Sequence, residues 1–205
     1  MIKYAVFDWD GTLADTYPAI VGGYKYVFET LKLPVPSKEE IEKKTAQAQN
    51  KNVLACFFDE TQIKRAKDLY YQYINAHHLN TLKAIKGAKE VLDFCVNNSI
   101  EPRLMTNKKR PYLEAELQHL GFEKYFAKIV CAGEYEHDKP HSITCEALFD
   151  FTLPKADEIV VIGDGAADVE VAKVYGAKSI IYGNKAKGDY QIDDLAQAID
   201  IMKGL

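Results

Sequence analysis

Four short stretches of the chain place oxygen donors and one amine where a parallel sheet would gather them. Asp8 and Asp10 stand two apart at the end of the apolar run Lys3–Phe7. In extended backbone that spacing sends both carboxylates to the same side of the strand end, where they could share a cation or a substrate. Further on, Thr106 and Asn107 close a second apolar run, and Lys139 sits in a later loop. Gly163-Asp164 closes the run Ile159–Ile162, and Asp168 follows. Carboxylates this close need neutralising. Asp8, Asp10 and Asp164 are hard oxygen donors that suit Mg²⁺, which keeps several waters and takes one or two carboxylates with a phosphate oxygen. Lys139 and the Thr106 hydroxyl can then hold the remaining phosphate oxygens. A carboxylate beside such a phosphate is placed for in-line attack, giving an aspartyl phosphate that water hydrolyses. The second carboxylate must protonate the leaving alkoxide and deprotonate the water.

Ligands of open parallel sheets collect at the carboxyl ends of strands, so the elements that position these residues are the next question. Lys3–Phe7 is β-branched and aromatic and stops at a polar, Gly-containing break, which predicts a strand and a loop. From Asp15 to about Lys86 the pattern turns helical and shows no strand-like alternation. Tyr24, Phe28 and Leu31 recur at helical spacing until Pro34 and Pro36, Ser37 with Glu40 forms a capping box, and Ile63 to Ile74 marks a third helix. After Gly87 the rhythm becomes that of βαβ units. Strands are expected at Arg103–Met105, Lys128–Cys131, Ile159–Ile162 and Ser179–Tyr182. Helices are expected around Val91–Cys95, at Pro111–Leu120 before Gly121, at Ser142–Phe149, and at Ala167–Tyr175 before Gly176. The fold class is therefore α/β: a Rossmann-like parallel sheet core with helices on both faces (1–14 and 87–205) and an inserted all-helical cap (15–86).

Composition narrows the function classes. In 205 residues, 47% are hydrophobic and 27% charged, enough apolar content for a full core. Lys plus Arg number 26 against 30 for Asp plus Glu, leaving a net charge of -4 and no basic field to hold nucleic acid. The longest apolar run, Val53–Phe58, is far short of the roughly 20 residues a membrane span needs. The opening MIKYAVFDWD reaches acidic residues before a signal-like apolar stretch develops, so no secretion signal is expected. Cys56, Cys95, Cys131 and Cys145 lack ligand-like spacing and read as reduced thiols, so a cytoplasmic location is expected.

The stretches FDWDGTLAD, LMTNKKRP, HDKP and VIGDGAADVEVAK, in this order and spacing, resemble the four motifs of the haloacid dehalogenase-like hydrolase superfamily. The helical insertion after the first motif, and LGFEKYFAKIV, resemble the subclass typified by phosphoglycolate phosphatase-like enzymes. The resemblance implies that Asp8 is the nucleophile and a Mg²⁺ ligand, and that Asp10 is the general acid/base whose backbone carbonyl also binds the metal. It implies that Thr106 and Lys139 hold the phosphoryl group and that Asp164 is the second acidic metal ligand. Asp168 would orient Lys139 or a water on the metal. Asp10 argues against dehalogenase and phosphonate-hydrolase chemistry, and Ile20, where sugar mutases of this type carry a polar or basic residue, favours hydrolysis. The implied enzyme releases phosphate from a small soluble phosphomonoester, as a monomer or homodimer without membrane or nucleic-acid partners. Its cap would open to admit substrate and close to exclude bulk water. A sugar phosphomutase and a non-catalytic regulatory member stand as the alternatives.

Each residue also has an ordinary reading. Asp-Gly pairs are commonly turns, Thr106 could be a strand-end cap, Lys139 a solvated charge and Asp168 a first-turn helix acid. Their joint order is the specific signal. Thr12 could merely cap a turn and Asn107 merely close a loop; both are also candidates to touch phosphate. The basic run Lys108-Lys109-Arg110 could attract an anionic substrate but reads first as a solvated helix start, His77-His78 as helix neighbours pointing apart, and Tyr70, Tyr71 and Tyr73 as cap packing. In the segment TAQAQNKN the resemblance makes Gln47, Gln49, Asn50 and Lys51 candidates for substrate choice. It holds no Arg to grip a carboxylate, which weakens phosphoglycolate as the substrate.

Overall fold

The computed structural model describes residues 1–47 and 53–205, and only the backbone at 42, 43 and 45–47. The elements run β1 (Tyr4–Phe7), β2 (Ala14–Asp15), α1 (Tyr17–Thr30), α2 (Lys38–Gln47), α3 (Ile63–His77), β3 (Lys83–Ala84), α4 (Ala88–Asn97) and β4 (Glu101–Met105). They continue with α5 (Arg110–Leu120), β5 (Lys128–Val130), α6 (Ser142–Ala147), β6 (Ile159–Gly163), α7 (Ala166–Tyr175), β7 (Lys178–Tyr182), β8 (Tyr190–Ile192) and α8 (Gln197–Gly204). Two compact units result, Met1–Asp15 with Leu82–Leu205, and Thr16–Thr81.

In the first unit six strands form a parallel sheet in the order β5-β4-β1-β6-β7-β8. The chain winds outward from β1 through β4 to β5, then returns to β6 on the other side of β1. The winding reverses between β1 and β6, where Phe7 lies opposite Leu104 on one side and Ile162 on the other. That is where doubly wound sheets open a crevice at their carboxyl ends. β6 (IVVIG) is buried along its whole length, as a strand covered on both faces must be. One core cluster joins Val6, Met105 and Val161 of the strands to Cys145, Leu148, Val171 and Tyr175. Gly121 and Gly176, at φ 67° and 64°, end α5 and α7 in the left-handed conformation that glycine adopts without strain.

The second unit packs α1 on α3 around Val27, Phe28, Leu54, Phe58 and Ala66. Gly23 lets the helices approach, since a Cβ there would stand 2.7 Å from the Tyr70 ring, and that ring stacks on Tyr24 at 5.1 Å. Ser37 caps α2 by accepting the Glu40 N–H at 3.1 Å.

Two departures from the sequence reading stand out. Leu82–Lys86, expected at the end of the helical stretch, falls in the first unit, where β3 pairs antiparallel with β2. A ribbon of two residues per strand is too short to show alternation. Beyond Tyr182 the chain adds β8 and α8, for which the sequence reading had no elements. β8 is three residues that exist as a strand only by pairing with β7. No helix among the described residues is long and apolar enough to cross a membrane.

Candidate active site

The loops after β1, β4 and β6 bring most of the expected residues together. Asp8 follows β1 directly, and its N–H donates to Ile162 O at 2.9 Å, tying the loop to β6. The next turn folds on itself, with the N–H groups of Thr12, Leu13 and Ala14 all directed at Trp9 O. Gly11 sits at φ 81°, and a Cβ there would run into the Asp164 carboxylate, so this position requires glycine twice over. Thr106 follows β4, and its hydroxyl accepts the Lys108 N–H at 3.1 Å. Asn107 donates its side-chain amide to Lys139 O at 3.0 Å, fastening the two loops to each other.

Lys139 is the hub. Its Nζ lies 2.6 Å from Asp8 Oδ1, 2.7 Å from Asp168 Oδ1 and 3.3 Å from Met105 O, all buried. Burial works against the ammonium, yet Asp168 and Asp8 hold its pKa above the ordinary lysine value. Burial likewise pushes the Asp8 carboxyl up, with Lys139 pulling it back. Asp168 accepts the Gly165 N–H at 3.0 Å on its other oxygen, so this first-turn acid both caps α7 and aims Lys139. Asp164 pairs with Lys185 Nζ at 2.5 Å; burial raises its pKa and Lys185 opposes the rise.

Ligand oxygens of Asp8, Asp164 and Asp168 all lie within 4.8 Å of one another, in buried side chains. Hard, anionic oxygens concentrated in this way fit a small divalent cation. Lys139 and Lys185 already stand against this negative charge. The Thr12 hydroxyl nearby in the chain is buried with no hydrogen-bond partner among the described residues, a polar atom that a ligand or water would satisfy.

The Asp8 and Asp10 side chains, expected to share a cation or a substrate, take different partners here. Asp10 pairs with Lys108 at 2.7 Å, while Asp8 pairs with Lys139. Lys108 is likewise no solvated helix start: its ammonium is buried between Asp10 and Glu116, and these carboxylates outweigh the burial and hold its pKa up. The sequence reading named Lys108 only as part of a basic run and missed its pairing, and it missed Glu116 and Lys185 altogether. For Glu116 a signal existed, since it lies on the stripe with Leu113 and Leu117 at helical spacing. Gln47 ends α2 with only its backbone described, and Gln49, Asn50 and Lys51 lie outside the described residues.

Known proteins share this arrangement's sequence and fold. The chain is 23% identical over 220 residues to the pyrophosphatase PpaX of Halalkalibacterium halodurans, covering 98% of this chain and 97% of that one. It is 24% identical over 223 residues to the phosphoglycolate phosphatase of Vibrio parahaemolyticus, covering 98% and 96%. A haloacid dehalogenase-like family hydrolase of Streptococcus pneumoniae has the same fold, with a TM-score of 0.82 at 18% identity over 98% of each chain. Residues 5–182, which take in Asp8, Thr106, Lys139 and Asp164, match the family described as haloacid dehalogenase-like hydrolase, and the chain belongs to that family.

Proposed function

We propose that this protein is a Mg²⁺-dependent phosphatase that hydrolyses a small phosphomonoester through an aspartyl phosphate on Asp8. The observation that carries the reading is the buried Lys139 ammonium bridging Asp8 and Asp168, with Asp164 in the same carboxylate cluster. A nucleophilic carboxylate held against a fixed cation at a strand end is what phosphoryl transfer requires. The names of the two relatives, a pyrophosphatase and a phosphoglycolate phosphatase, agree with that chemistry.

In this reading an Asp8 oxygen attacks phosphorus in line, the bond to the ester oxygen breaks, and Asp10 gives that oxygen its proton. Asp10 then takes a proton from water as the water attacks phosphorus, which frees inorganic phosphate and restores Asp8. Lys139 and the Thr106 hydroxyl hold the phosphoryl oxygens, and Asp168 keeps Lys139 aimed. Asn107 fixes the Lys139 loop, and Thr12 offers its unpartnered hydroxyl. Asp8, Asp164 and the Asp10 backbone carbonyl would hold Mg²⁺, which when bound supplies positive charge against the transferring phosphoryl group. The helical unit Thr16–Thr81 acts as the cap that selects substrate, with Gln47 and Lys51 as its candidate contacts. The four cysteines form no disulfide among the described residues, which suits a reducing cytoplasm.

Phosphate release from a panel of phosphomonoesters, with phosphoglycolate and pyrophosphate included, tests this with and without Mg²⁺. Release is expected to require Mg²⁺ and to fall by about 10⁴-fold or more in Asp8→Asn. Near wild-type turnover in that variant would remove Asp8 as nucleophile. Interconversion of glucose phosphates without release would assign a mutase instead.

A further inference from the structure

The proposed reaction needs one oxygen of Asp10 to serve first as acid and then as base. Lys108 Nζ lies 2.7 Å from Asp10 Oδ1 and donates to both Glu116 oxygens, at 2.8 and 2.6 Å. Glu116 is 1% exposed and accepts the Trp9 indole N–H at 2.6 Å. Trp9 is itself fully buried, edge-on to Phe122 at 6.3 Å. So α5 grips the segment 8–10 at two points, Trp9 directly and Asp10 through Lys108. A brace between the helix and the loop would need only the Trp9–Glu116 bond. The second link runs through a buried ammonium, held between two carboxylates, and ends on the proton-carrying residue.

We infer that Lys108 and Glu116 are positioning residues for Asp10: Glu116 aims Lys108, and Lys108 holds Asp10 Oδ1 so that Oδ2 is the oxygen that exchanges the proton with the substrate. Fixing a side chain of several rotamers in one productive orientation is how such residues contribute to rate. The inference rests on the role proposed above for Asp10.

The leaving group separates the possibilities. An alkyl phosphate needs its departing oxygen protonated, whereas p-nitrophenyl phosphate leaves without help, and kcat/KM reports the steps up to that departure. Asp10→Asn should lower kcat/KM for the best alkyl phosphate of the panel by about 10²–10⁴-fold and for p-nitrophenyl phosphate far less. Equal losses there would overturn the role of Asp10 itself. Given the selective loss, Lys108→Met should lower the alkyl value by about 10–100-fold and the aryl value by no more than about twofold. Lys108→Arg should restore most of the alkyl activity. Trp9, the single tryptophan of the chain, should keep its emission maximum in Lys108→Met if the loop stays in place. The double variant Lys108→Met, Glu116→Gln removes the stranded buried charge and should show the same selectivity even if the single variant does not fold. Equal losses for the two substrates, or no loss, would reduce Lys108 and Glu116 to a brace.

Discussion

The first unit buries the charged side chains Asp8, Glu116, Lys139, Asp164 and Asp168, whereas the core cluster of the second, around Val27, Phe28, Leu54, Phe58 and Ala66, is apolar throughout the described residues. The helical unit draws its stability from what water rejects. The sheet unit has a similar apolar core but carries, at the ends of its strands and on the helices beside them, carboxylates that water would solvate better. They stay there because each has a partner: Lys139 for Asp8 and Asp168, Lys185 for Asp164, Lys108 and Trp9 for Glu116. Folding supplies one unit's order, and a lattice of ion pairs set on a rigid sheet supplies the other's chemistry.

Substitutions can sharpen or break this contrast. Lys139→Met should cost about 10²–10³-fold in kcat, the usual toll for a donor lost from a developing charge. Steady-state rates on p-nitrophenyl phosphate would show it. Phe58→Ala in the helical unit should instead cost about 3–5 kcal/mol of stability, read by urea unfolding. A fall in kcat there as large as for Lys139→Met, measured on folded protein, would erase the division between a packing unit and a chemical one. The smallest effect concerns Asp189, whose carboxyl is held at about 2 by Lys178 and by the N–H and hydroxyl of Ser179. Because its folded pKa lies below the unfolded value of about 3.9, its contribution is present above that pH and fades as pH falls toward 2. Asp189→Asn should therefore melt lower than wild type at pH 7 and level with it near pH 2. The gap should stay within about 1 kcal/mol, since the side chain is partly exposed.

That Asp8, Lys139, Asp164 and Asp168 would come together was legible because each closes or follows a strand-like run of one parallel sheet. The helices and inner strands were legible for a different reason, apolar periodicity with Gly and Pro at their ends. What escaped depends on partners distant in sequence. Lys108 reads as one more charge in a basic run until Glu116, eight residues on, and Asp10, on another strand's loop, close around it. β8 has too few residues to announce itself, and its place is set by Asp189 reaching back to Ser179. Periodicity carries no information about which of two lysines will meet a given aspartate.

The short ribbon of β2 and β3 has one more consequence. Its strands are where the chain departs at Asp15 and returns at Lys83, so Ala14 paired with Ala84 closes everything between them into a loop. Loop-closure entropy grows only logarithmically with length, by about 0.6 kcal/mol for each doubling. Exchanging Thr16–Thr81 for a turn of a few residues would thus alter the closure term by only about 2 kcal/mol. From the sheet's side the insert is thermodynamically close to interchangeable, so helical segments of very different length can be grafted at this neck without refolding the strands that carry the carboxylates.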